Sequence, residues 1–400
     1  MAREPDGSAS ATSRNNAQFR GAARGPASAT CARGLHFCAT RLSILRMHVG
    51  PPRTAEPSYR GLTPLRVLGV ALYGLLVWGL WYAAHSSSMA RSLHGHPVGP
   101  FLAFALILGV LWAFGWGAGE PLARWMSNGP SLRTTHWTRR LTGFSIVRVL
   151  TPGLFSAAVY LLIAIPLGEL SGWSLLLYFI FPSVLTVLLE CLPPAAKLGW
   201  QDGVLLAALG CAVEYGWLQR SVPQPGLGSF AKLLLADVAL YLYIVQRRLP
   251  GMGFDLRLRL RDLRIGVREW AIFAPIGIGL GLALGFLRFH DRLPTAGTFA
   301  ATLLGTFIFV VVPEELFFRS LLQNLLETRL PRGKALALAS VIFGLSHYIH
   351  GAVFNWRYVI LAAVAGFFYG RAWRTDRRLA AAAVSHTLVD SVWFTWFLAH

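Results

Sequence analysis

Charge is scarce in this 400-residue chain, and acid is scarcest. Only 14% of its residues are charged, and 18 Asp and Glu stand against 37 Lys and Arg, for a formal net charge of +19. Cysteine is sparser still, with four residues. Of the four, Cys31 and Cys38 lie near the start, Cys191 and Cys211 lie in or beside apolar runs, and no CxxC pair occurs. That excludes a disulfide framework, a zinc ribbon and a thiol redox motif. Two catalytic signatures are also missing. There is no GxSxG nucleophile elbow, and no HExxH pair that would put two zinc ligands on one helix face.

Apolar residues make up 54% of the chain, and they recur in runs of about 17–22 residues, the length a helix needs to cross a bilayer. A backbone in lipid must satisfy its own polar groups, so these runs predict an all-α, polytopic membrane protein. Spans are expected at 64–84, 98–116, 146–166, 173–192, 200–217, 229–246, 269–287, 297–327, 335–350, 357–373 and 379–398, about eleven in all. The run at 200–217 is the least regular, being interrupted by Gln201, Asp202 and Glu214. The positive charge falls in alternate loops, notably 117–145 and 247–268. The positive-inside rule accounts for it and puts the N-terminus in the cytoplasm, with no nucleic-acid partner required.

Three regions follow. Residues 1–60 are basic and rich in Ala, Ser and Gly, with no apolar periodicity, and read as a disordered tail. Met47 is an alternative start within it. Residues 61–250 form an N-terminal membrane module without a readable motif, and 251–400 form a second module. Between them, Leu256 to Arg261 alternates apolar and basic residues. It reads equally as an interfacial element drawn to anionic lipid and as a plain linker.

The second module holds ionisable residues where they are expensive. An ionisable group at the centre of a spanning helix costs roughly 2.5–3.5 kcal/mol on insertion scales, so its presence points to function. The segment Val311-Val312-Pro313-Glu314-Glu315-Leu316-Phe317-Phe318-Arg319 carries three. Glu315 and Arg319 are i,i+4 and can neutralise each other. Glu314 is rotated about 100° away and has no local cation. Pro313 is expected to kink or break this helix. Further on, His347 follows Phe343 by one turn, and His386 and Asp390 share a face at i,i+4.

Helical rise places Glu314, His347 and His386 about 22, 20 and 12 Å from the nearest basic loop residues, compatible with one buried pocket. A buried glutamate beside a histidine can hold and deprotonate water, and a second histidine can donate to a developing oxyanion. That pattern suits amide hydrolysis by a water nucleophile. Zinc is the rival, because His347, His350, His386 and Glu314 include suitable ligand types. It is not favoured, since the HExxH helix is absent. No cofactor is expected.

The three spaced motifs, EExxxR (Glu314–Arg319), FxxxH (Phe343–His347) and HxxxD (His386–Asp390), resemble those of the CAAX-protease and bacteriocin-processing (CPBP, or Abi) family of glutamic-type intramembrane proteases. The likeness covers roughly 255–400. It implies a helical CAAX-protease-like core acting on a peptide or membrane-protein substrate within lipid. Glu314 would be the general base assisted by His347, and Glu315 with Arg319 would support the site, as would Phe343. His386 and Asp390 would hold the oxyanion or substrate. The family commonly has Asn where this chain has Asp390; an ionised aspartate cannot donate to an oxyanion, so Asp390 would instead orient His386 or stay protonated. Two other readings remain open, a non-catalytic immunity or scaffold protein and a proton-relaying transporter.

Overall fold

The computed structural model describes residues 64–85, 93, 95–119, 121–123, 146–194, 196–221, 228–289, 295–348 and 355–399, all within one compact unit, Gly61–His400. The expected tail 1–60 with Met47, the loop arginines 124–140, and His350 lie outside the described residues.

The architecture is all-α. In chain order the helices are α1 (Pro64–Ala84), α2 (Val98–Gly115), α3 (Ile146–Ala164), α4 (Gly172–Cys191), α5 (Trp200–Glu214) and α6 (Gly228–Leu240, continuing through a π-type turn at Tyr241–Gln246). There follow α7 (Leu260–Ala283), α8 (Ala296–Leu326), α9 (Arg332–Leu345), α10 (Trp356–Asp376) and α11 (Leu379–Trp396). One short antiparallel ladder joins β1 (Leu287–Phe289) to β2 (Phe397–Ala399). Among the described residues, α2, α3, α4, α6, α7 and α8 are long and apolar enough to cross a membrane. The other expected spans fall on helices that are shorter or more polar. In α11 the polar residues include His386 and Asp390, so the residues of chemical interest are those that depress its hydropathy. Large apolar side chains are widely exposed along the outer faces, such as Val70, Leu154 and Ile180. Together these features make the protein an integral, multi-pass membrane protein.

The second half is a tight bundle in which α9 packs on α10, and α7 and α10 pack on α11. Small residues let the backbones approach. A Cβ at Gly266 of α7 would lie 2.6 Å from Val384 of α11, and one at Gly344 of α9 would lie 2.5 Å from the Val359 carbonyl of α10.

Helix α8 departs from expectation. Pro313 neither breaks nor ends it, and Val311, Val312 and Leu316 keep right-handed helical dihedrals. Instead the hydrogen bonding widens to π-type turns at Thr306–Val311 and Leu316–Gln323, leaving one ordinary turn, Val312–Glu315, between them. Wider turns accommodate both the missing proline N–H and its ring. The two glutamates therefore sit at a local irregularity inside a continuous helix.

At the arginine-rich end the alternating stretch 254–261 folds back on the bundle. Buried Arg378, at the start of α11, donates to Asp255 Oδ2 (2.6 Å), to Asp262 Oδ1 (3.0 Å) and to the Arg257 carbonyl (2.7 Å). Burial alone would push Asp255 upward, but hydrogen bonds from Arg257 and Arg378 hold its carboxyl below the ordinary 3.8. Gly253, at φ +64, allows close passage, since a Cβ there would meet the Arg377 carbonyl at 1.9 Å.

Candidate active site

Helix α8 supplies the two glutamates, α9 supplies His347, and α11 supplies His386 and Asp390. The best-sealed part is the base of the site. Glu315 and Arg319, both fully buried, pair across one turn, with Arg319 Nε donating to Glu315 Oε2 at 3.0 Å. The other Glu315 oxygen lies 2.8 Å from His386 Nδ1. Among the described residues, Arg319 Nη1 and Nη2 have no hydrogen-bond acceptor. The guanidinium instead lies 4.9 Å from the centroid of Phe343 and 5.8 Å from that of Tyr369, so aromatic faces take the place of acceptors. Phe343 thus sits at the centre of the support, edge-on to Phe318, His347 and His386.

His386 is held on every side. Tyr369 stacks on it at 4.2 Å with planes 17° apart. Its Nε2 lies 3.4 Å from Asp390 Oδ2 and 3.8 Å from Glu314 Oε2. An imidazole that donates from both nitrogens at once must carry both protons, and three carboxylates surround this ring. Asp390 accordingly contacts His386 itself, one turn away.

His347 is oriented differently. Its Nδ1 lies 2.8 Å from the Phe343 carbonyl and 3.3 Å from Ser346 Oγ. A carbonyl only accepts, so Nδ1 carries the proton toward it and Nε2 is the basic nitrogen of the neutral ring. Tyr358 packs edge-on against the same imidazole at 4.8 Å.

Glu314 finds its cation on another helix. No cation lies near it on its own helix, yet it is paired: Lys232 Nζ of α6 donates to Glu314 Oε1 at 2.5 Å. The polar cluster is therefore not confined to the second module. Glu314, Lys232, His347 and Glu214 of α5 line one cavity of about 780 Å³ between the two halves of the chain. A smaller, mostly apolar cavity of about 70 Å³ is lined in part by His347, His386, Asp390, Tyr358 and Tyr369, so His347 borders both.

Reasoning from the sequence missed Lys232, although a signal existed. It is an ionisable residue inside the apolar run 229–246, the same anomaly that singled out Glu314. Glu214 had been noted only as an interruption. Tyr369 and Tyr358 carried no signal, because an aromatic in an apolar run is ordinary. Among the described residues, no three His, Cys, Asp or Glu side chains are grouped to hold a metal ion. The zinc set inferred from the sequence includes His350, which lies outside those residues.

Residues 296–392 match the family model described as type II CAAX prenyl endopeptidase, Rce1-like. No curated protein and no solved structure matched the chain. The matched segment contains all three motifs and the whole glutamate–histidine cluster except Lys232 and Glu214. Across residues 296–392 this membrane protein matches the Rce1-like model, which belongs to the CAAX-protease (CPBP) family.

Proposed function

We propose that the protein is an intramembrane endopeptidase that hydrolyses a peptide bond with a water molecule activated by Glu314 and His347. The observation that carries this reading is the shared cavity: Glu314 and His347, whose ring is oriented through Nδ1 by the Phe343 carbonyl, line one space large enough for an extended peptide. In the proposed step Glu314 takes a proton from water as its oxygen attacks the scissile carbonyl, and the proton passes to the leaving amine as the C–N bond breaks. His386, held by Glu315 and Asp390, presents Nε2–H beside Glu314, where negative charge develops on the substrate oxygen. Asp390 serves as the orienting group for His386, a role open to a carboxylate that cannot donate. Glu315 and Arg319 hold the ring from below. Each step uses the chain's own side chains; activity that survives chelators would distinguish this mechanism from the zinc one.

The family name points to prenylated C-terminal peptides as substrates. Sorting signals and membrane-anchored precursors fit the same cavity chemistry. By the positive-inside rule the arginine-rich end and the N-terminus face the cytoplasm, and a bacterial inner membrane is the proposed location. One observation favours a second reading. Lys232 already occupies Glu314, as expected of a family member that uses the pocket for recognition as an immunity or scaffold protein.

Comparing protein termini by mass spectrometry in cells carrying wild type, Glu314→Gln or His347→Ala tests both readings. Proteolysis predicts that specific processed termini vanish in each variant, with purified activity reduced about 10²–10⁴-fold. Unchanged termini and full cellular activity in a folded Glu314→Gln variant would establish the recognition reading instead.

A further inference from the structure

A second built site lies at the arginine-rich end, away from the glutamates. It is a concavity of about 430 Å³ where α7, α9 and α10 meet, lined by Arg268, Arg332, Arg371, Arg374 and Arg377. Two glutamates share it, Glu269 and Glu327, leaving a formal excess of positive charge. Topogenic arginines need no fixed geometry, but these have one. Glu269, fully buried, accepts from Arg268 at 2.7 Å and lies 3.3 Å from Arg371. Glu327, its side chain 4% exposed, pairs with Arg377 and lies 3.7 Å from Arg374. Aromatic faces complete the bracing, with Arg371 over Phe368 at 5.5 Å and Arg377 over Trp373 at 5.0 Å. Each guanidinium carries five N–H donors, and one carboxylate contact leaves most of them available. Arg332 is exposed and has no ion pair among the described residues.

We infer that this concavity binds the phosphate of an anionic membrane lipid. Phosphate is the ligand that several convergent, pre-oriented guanidinia recognise best, through paired N–H donors. The walls argue for a lipid rather than a free ion. Phe367 and Leu336 line the same space, and Phe367 lies about 15 Å before Arg377 along α10. The headgroup layer is only about 5–7 Å deep on each side of the hydrocarbon core. The arginines therefore ring the mouth at headgroup depth while an apolar wall continues toward the acyl region. The site does not depend on the proteolytic reading, because among the described residues no hydrogen bond or ion pair joins its charged groups to the glutamate–histidine cluster.

The test uses the full chain in nanodiscs of phosphatidylcholine alone, or of phosphatidylcholine with phosphatidylglycerol in a four-to-one mixture. Bound lipid is counted by native mass spectrometry after release. Phosphatidylglycerol should be retained by wild type, with each arginine removed weakening retention at least about tenfold, the loss of a charge-assisted hydrogen bond to phosphate and more than general surface attraction gives. Arg332→Gln and Arg332→Gln/Arg374→Gln supply one and two removals. Arg264→Gln, exposed on α7 outside the concavity, loses the same charge and should change retention less than twofold. Arg332→Gln breaks no ion pair, so it keeps the test valid if the double variant fails to fold. Equal loss in Arg264→Gln would reduce the effect to general surface attraction and overturn the site. Thermal stabilisation by inorganic phosphate alone, with no added effect of phosphatidylglycerol, would overturn the lipid assignment.

Discussion

Replacing Lys232 with methionine keeps the length and apolar stem of the side chain and removes only its charge. Its ammonium lies 2.5 Å from Glu314 Oε1, a separation worth about 6–7 kcal/mol of gross attraction at an effective dielectric of about 20. Much of this is offset. Both groups gave up hydration to pair, both border a cavity, and the side chains keep 24% and 15% of their exposure. Glu314 also retains His386 Nε2 at 3.8 Å. The net loss should therefore fall below the roughly 3–5 kcal/mol of a sealed pair, near ~2 kcal/mol. Thermal unfolding at a fixed scan rate should show Lys232→Met melting a few degrees below wild type, with Lys232→Arg recovering most of the difference. The decisive measurement is the double-mutant cycle with Glu314→Gln. Removing Lys232 from a chain that has already lost the carboxylate should cost little, for a coupling of about 2 kcal/mol. Additivity within ~0.5 kcal/mol would refute the pairing and return Glu314 to the unpaired status that its own helix suggests.

Three further outcomes are expected. Arg319→Met leaves Glu315 buried with only His386 as partner, and should destabilise by about 3 kcal/mol; a loss under ~1 kcal/mol in chemical unfolding would show that the pair is not sealed. Asp255→Asn should cost about 1.5–3 kcal/mol near neutral pH through the lost charge-assisted bonds to Arg257 and Arg378. Because the folded value of Asp255 lies below the ordinary 3.8, its stabilisation is present above that pH and lost as the pH falls through the folded value. The gap between wild type and variant should accordingly shrink in acid, and a gap that widened there would contradict the sign. Asp237 of α6 is 3% exposed, and among the described residues neither of its oxygens is hydrogen-bonded. Asp237→Leu removes that unsatisfied group without removing a partner and should be neutral or stabilising in melting temperature.

Some of this was legible because it is local. Apolar runs of spanning length mark membrane helices in any tertiary context, since lipid imposes the same demand on each one. The pairing of Glu315 with Arg319 follows from 3.6 residues per turn, as does the shared face of His386 and Asp390. The ionisable residues of α8, α9 and α11 stood out because the bilayer makes them expensive. What came from the tertiary structure is everything without a period. Lys232 reaches Glu314 across 82 positions, and Arg378 reaches Asp255 across 123. Of the kink or break expected at Pro313, the break does not occur, because tertiary packing can hold a helix together through π-type turns that its own hydrogen bonds would not favour. The same limit hid the aromatic faces around Arg319, which are ordinary core residues until the helices dock. Sequence determined which charges enter the membrane; only the packing of α5 and α6 against α8 decided which of them meet, because a charge buried in lipid takes the nearest partner in space, whatever its place in the chain.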